Sequence, residues 1–105
     1  MTITRFAFRP STAPEGATVT LRLAVQNCTG KAQRVGLTRF GTEPSHCAVI
    51  DPITKTVTIG PRSTYRERTV MTAPRCAGTE QMTERVSDQN GQQLAQATAA
   101  LTVTG

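Results

Sequence analysis

Three cysteines, one histidine and two spaced glutamates carry most of the chemistry this 105-residue chain has to offer. Cys28, Cys47 and Cys76 stand too far apart for the Cys-x-x-Cys pairs on which zinc sites and thioredoxin-type redox centres are built. His46 adjoins Cys47, with Met71 and Met82 downstream, but a blue-copper site takes two histidines and one cysteine. No second base or orienting acid lies at a spacing that would turn Cys47 and His46 into an activated nucleophile. Glu80 and Glu84 are four apart, which on a strand places both on one face; that pattern predicts a solvated edge rather than an acid and base pair. No catalytic residue, metal ligand or cofactor is therefore expected. Asn27-Cys28-Thr29 matches the glycosylation acceptor pattern, yet with Gly30 these are good turn formers, and a turn is expected.

Charge raises a different chemistry. Twelve basic residues against seven acidic ones give a formal +5, and ten of the twelve are arginine, the side chain that pairs bidentately with phosphate. Arg5, Arg9, Arg22, Arg34, Arg39, Arg62, Arg66, Arg68, Arg75 and Arg85 are nevertheless spread along the whole chain, and Arg66-Glu67-Arg68 is the longest charged block. This spread predicts a solvated surface, and no nucleic-acid partner is expected. Phe6, Phe8, Phe40 and Tyr65 are the only aromatics, and they are assigned to the core rather than to base-stacking platforms. No apolar run approaches the roughly 18 residues that cross a bilayer, so no membrane insertion is expected.

The elements that position these residues read as strands. Threonine occupies 19 positions and charged residues only 18%, against a usual figure of about 25%, a composition that favours strands over helices or disorder. The length fits one domain over residues 1–105. Seven alternating segments are expected: Thr2 to Phe8, Thr18 to Gln26, Gln33 to Phe40, Thr54 to Ile59, Thr64 to Thr72, Thr79 to Ser87, and one from Gln93 onward. Val19, Leu21, Leu23 and Val25 share one face of the second, Val35 and Leu37 point inward from the third, and Ala95, Ala97, Ala99, Leu101 and Val103 line the last. In Thr64 to Thr72 either face is a candidate for burial. Gly41 to Pro52 reads as a long connection, and Asp88-Gln89-Asn90-Gly91 as a hairpin turn. Short strands between turns predict an antiparallel β-sandwich of the immunoglobulin-like kind.

If consecutive strands run antiparallel, Cys47 in the third connection and Cys76 in the fifth lie at one end of the sandwich, and Cys28 in the second lies at the other. A strand of six residues at ~3.3 Å each separates the ends by about 20 Å, whereas Cα atoms more than about 7 Å apart cannot be bridged. Cys47 and Cys76 are therefore the expected disulfide, and Cys28 the odd thiol. A complete strand at Ala48 to Ile50 would reverse that parity.

The run Pro14-Glu15-Gly16-Ala17-Thr18-Val19-Thr20-Leu21, then Val25-Gln26-Asn27-Cys28-Thr29-Gly30, resembles the opening strands of bacterial immunoglobulin-like modules. Cys47 with Asp51-Pro52, Gly60-Pro61 and Ala73-Pro74-Arg75-Cys76-Ala77-Gly78 are similar to secreted modules of high-GC actinobacteria. The resemblance implies a non-catalytic accessory module, extracellular or at the cell surface, that binds a protein or polysaccharide surface or spaces the neighbouring domains of a longer chain. A small secreted inhibitor or small-ligand carrier is the alternative. Loops on a rigid scaffold commonly carry recognition, which makes Arg39, Glu43, His46 and Arg75, around the two bridged loops, the candidate binding residues.

Overall fold

The computed structural model describes residues 1–42, 47 and 50–105. Regular structure among them is entirely strand: β1 (Thr2–Arg9), β2 (Thr12–Pro14), β3 (Thr18–Gln26), β4 (Gln33–Thr42), β5 (Ile50–Ile59), β6 (Thr64–Thr72), β7 (Gly78–Ser87) and β8 (Gln93–Thr104). They form two sheets, three strands in the order β1-β3-β6 and five in the order β2-β8-β7-β4-β5. All pairs are antiparallel except β2 with β8, which is parallel.

The expected seven segments are all strands, and an eighth is added within the turn region after β1. There the chain leaves the small sheet through a cis Arg9–Pro10 bond and pairs Thr12, Ala13 and Pro14 with the end of β8. The connection between β4 and β5 is shorter than Gly41 to Pro52, because pairing reaches Thr42 on one side and resumes at Ile50 on the other. Ile50 therefore opens β5 rather than closing a separate strand, and Ala48 and Val49 lie outside the described residues.

Period-two alternation places the core. Val19 and Leu21 of β3 pack with Phe8, Met82, Leu101 and Val103, while Leu23 and Val25 pack with Val35, Leu37, Ile59 and Val86. A bulge at Thr4 lets Ile3 and Phe6 face the same interior, which an unbroken alternation would forbid. Tyr65, Glu67, Thr69 and Met71 are the inward side of β6, with Arg66, Arg68 and Val70 exposed. Two expectations fail here. Phe40 is not core: it pairs with Thr83 on the outer face of the large sheet, where the Arg85 guanidinium lies 5.2 Å from its ring centre. Glu80 and Glu84 are not a solvated edge: β7 is interior to its sheet, and both share the buried face of Met82 and Val86 with 2% exposure each.

The two ends of the sandwich are organised separately. At one, Cys47 is bridged to Cys76 with Cα atoms 6.2 Å apart, and the Gly16 amide donates to Ala73 O at 3.1 Å. At the other, Asn27 is fully buried. Its amide nitrogen donates to Lys31 O at 2.8 Å, Gly60 O at 3.0 Å and Ile59 O at 3.1 Å, and its oxygen accepts from the Thr29 amide and hydroxyl at 2.9 and 2.7 Å. The nitrogen that a glycan would take is thus spent on joining two loops. Cys28, beside it, is exposed and free.

Replacing Asn27 by Ala should cost about 2–3 kcal/mol in urea unfolding, since it orphans several buried backbone groups at once. Cys28→Ser should stay within ~0.5 kcal/mol of the parent. Reducing the Cys47–Cys76 bridge, which closes a 29-residue separation, should cost roughly 3 kcal/mol, and peptide mapping without reductant should recover these two cysteines joined.

Candidate functional site

Arginines scattered in sequence converge in space. Arg5 and Arg9 on β1, Arg22 on β3, and Arg66 and Arg68 on β6 all lie on the outer face of the small sheet. The register sets Arg5, Ala24 and Arg66 in one row and Ala7, Arg22 and Arg68 in the next. The triplet Arg66-Glu67-Arg68 is neutralised on paper but not in three dimensions, because the pleat turns Glu67 inward and both arginines outward. No carboxylate side chain of a described strand residue shares this face. The expected solvated surface holds for Arg5, Arg9, Arg66 and Arg68, which are exposed, but these residues, spread along the chain, share one face with the half-buried Arg22.

Ala7 and Ala24 lie between these arginines as small residues, and two depressions meet where Arg5 and Arg22 line both. One, about 440 Å³, also involves Ala7, Arg9 and Pro10; the other, about 280 Å³, involves Arg66 and Arg68 with the inward-turned Leu23 and Glu67 between the strands. Arg22 sits at the centre with its Nε buried and without a hydrogen-bond partner. It stands directly opposite Arg68 across the ladder, a like-charge arrangement that costs stability in a sheet. Five guanidinium groups thus share one face, and the buried Nε of the central one is left without a partner.

Behind this sheet lies a second charged cluster. Arg39 of β4 donates from Nε to Glu84 Oε1 at 2.7 Å and from Nη1 to Thr69 Oγ1 at 3.3 Å, with Glu67 Oε1 3.8 Å away. Its guanidinium also lies 5.5 Å from the Phe6 ring centre. Lys55 of β5 pairs with Glu67, whose carboxylate also accepts from the Tyr65 hydroxyl at 2.9 Å. Burial opposes the Glu67 charge, but hydrogen bonds from Lys55 and Tyr65 and the charges of Lys55 and Arg39 outweigh it and hold that carboxyl below its usual range. Burial dominates at Glu84, whose carboxyl is pushed upward despite the bond from Arg39. The bond to Glu67 raises Lys55.

The sequence-derived candidates fare unequally. Arg39 is not a loop residue; it follows Val35 and Leu37 on the inward face of β4, and its side chain is 14% exposed. Arg75 is exposed, and its guanidinium packs over the turn at Gly16, 3.4 Å from where a Cβ would stand. Glu43 and His46 lie outside the described residues. Among the described residues no three His, Cys, Asp or Glu side chains gather in a metal-sized cluster. The convergence of Arg5, Arg22, Arg66 and Arg68 cannot be read from their spacing, because it depends on pairing between residues up to 54 positions apart. The parity of Glu84 with Met82 and Val86 was a readable signal for its burial.

An acid held below its unfolded pKa adds stability above the unfolded value and loses it as pH falls through the folded one; an acid raised on folding does the reverse. Ionised Glu67 therefore supports the fold, whereas ionised Glu84 counts against it and is relieved on acidification. Glu67→Gln should lower stability at pH 7 by on the order of 1 kcal/mol, and the gap from the parent should close as pH drops below about 4. A gap that stays constant in urea titrations from pH 7 to pH 3 would show that the Lys55–Glu67 pair contributes nothing.

No protein-family model matches the chain, and no curated protein matches it. Among solved structures it is similar to the alkylpurine DNA glycosylase AlkC of Pseudomonas fluorescens, bound to DNA containing an abasic site analog, with a TM-score of 0.74 and 13% identity. The match covers 99% of this chain and 30% of that one, so the chain spans under a third of the glycosylase's length; at this identity the likeness is one of fold alone.

Proposed function

We propose that this is a non-catalytic extracellular binding module whose outer β1-β3-β6 face grips an anionic polymer, with an acidic polysaccharide as the first reading. The observation that carries it is the cluster of Arg5, Arg9, Arg22, Arg66 and Arg68 on one face, where no described strand residue turns a carboxylate outward. Arginine forks match carboxylate, sulfate and phosphate geometry alike, and a repeating anion presents many such groups to one sheet. The face offers no aromatic platform, since Phe6 and Tyr65 pack against the interior and Phe40 is on the other sheet. Recognition there rests on charge, which argues against a neutral glycan. The Cys47–Cys76 disulfide suits an oxidising compartment such as the cell exterior. One observation favours a nucleic-acid backbone instead: the structural neighbour is a protein described bound to DNA.

The two readings separate in one titration series. The module is expected to bind a sulfated or uronate polysaccharide, to bind a sequence-randomised DNA duplex more weakly at equal charge, and to leave a neutral glucan unbound. Affinity should fall linearly with the logarithm of salt concentration, and Arg22→Ala, Arg66→Ala and Arg68→Ala combined should lower that slope by about 2 to 3 and weaken binding at least ~tenfold. Stronger binding to DNA would favour the second reading. Tight, salt-independent binding of the neutral glucan, or a triple variant that binds like the parent, would overturn both.

A further inference from the structure

Among the described residues, four strands have a free edge in the two sheets: β1, β6, β2 and β5. Three of them carry features that discourage another strand from pairing. β1 has its bulge at Thr4, β2 is three residues long and ends in Pro14, and β5 contains Pro52 and loses register against β4 between Arg39 and Gly41. β6 differs. Its nine residues contain neither Pro nor Gly, and all nine pair with β3 without a register shift. Its inward charge, Glu67, would normally deter an added strand, but Lys55 and Tyr65 already satisfy it from within the sandwich.

A second observation points to the same place. The small sheet stops at β6 while the large sheet continues to β5, and on the face where β5 buries Ile59 and half-buries Val57, Ile53 stays 68% exposed. A fourth strand added beside β6 would lie over that uncovered part of β5. We propose that the β6 edge, Thr64–Thr72, takes an extended acidic peptide as a fourth strand of the small sheet, with Ile53 covered beneath it. Charge selects the occupant. Residues directly opposite one another in a sheet interact at close range, so Arg66 and Arg68 favour Glu or Asp at alternate positions of the incoming strand. A second copy of the chain is disfavoured, because full antiparallel pairing of β6 with itself sets Arg68 against Arg68. Since Arg66 and Arg68 also belong to the proposed polymer-binding face, the peptide and the polymer compete for them.

The probe is a ten-residue peptide of alternating Glu and Thr, set against the same peptide N-methylated at every second backbone amide, which leaves its charge unchanged and removes the donors of one edge. Both N-methylation phases are made, so that the edge facing β6 is blocked in one of them. Binding is followed by fluorescence anisotropy and by amide hydrogen exchange of the whole protein. The unmodified peptide at ten times its dissociation constant should slow exchange of the outward β6 amides about tenfold, and one N-methylated phase should bind at least ~tenfold more weakly. Ile53→Asp, a change at an exposed side chain, should weaken the peptide while leaving polymer affinity unaltered. Equal binding of both N-methylated peptides, protection that appears elsewhere than β6, or no binding of the unmodified peptide would overturn the proposal. Polymer affinity measured on the same samples reports separately on the proposed function.

Discussion

A three-stranded sheet cannot cover a five-stranded one, and the rest of this molecule follows from how that mismatch is closed. On the side where β1 lies near β8, apolar residues from both sheets meet: Phe8, Leu101 and Val103 are all buried. On the other side β6 faces β4 and the overhanging β5, and the contact is made by charge, with Arg39, Lys55, Glu67 and Glu84 in a connected set. Carboxylates placed in such a position must be paired or neutralised, since an isolated charge away from water costs several kcal/mol. Arg39 pairs with Glu84, and Lys55 and Tyr65 satisfy Glu67.

The same pairing decides what the outer face becomes. Because Glu67 is held inside, its flanking arginines reach solvent with no acid beside them, and Arg22 and Arg5 join them through the register of β3 and β1. Net charge alone carries little information about partners. A local field carries more, since like charges set opposite one another in a sheet cost stability and their potentials add. The inner cluster and the outer face are thus two consequences of one strand, β6, whose alternate residues face the interior and the solvent.

The two ends of the sandwich show a division of labour between covalent and polar restraint. Cys47 and Cys76 join the loops at one end, and the fully buried Asn27 amide joins Lys31, Ile59 and Gly60 at the other. Each connects segments some 30 residues apart in the chain and limits loop freedom without adding to the apolar core.

Much of the architecture was legible in the amino-acid sequence because strand periodicity is local. The alternation in Thr18 to Gln26 and in the segment from Gln93 marked inward and outward residues correctly, and counting passes across the sandwich was enough to join Cys47 to Cys76 and leave Cys28 apart. Side-chain direction in a strand repeats every two residues, so a short window suffices to read it. Which strand neighbours which, and in what register, is a non-local property. It alone determined that β7 is interior to its sheet, so that the shared parity of Glu80 and Glu84 with Met82 and Val86 becomes burial, and that Arg39 belongs to an ion cluster; the outward turn of Phe40 follows from its parity relative to Val35 and Leu37. Strand pairing likewise gathered Arg5, Arg22, Arg66 and Arg68, distributed evenly along the chain, onto a single face. Charge is felt through space over about 10 Å, and spacing in sequence carries no measure of that distance until the strands are paired.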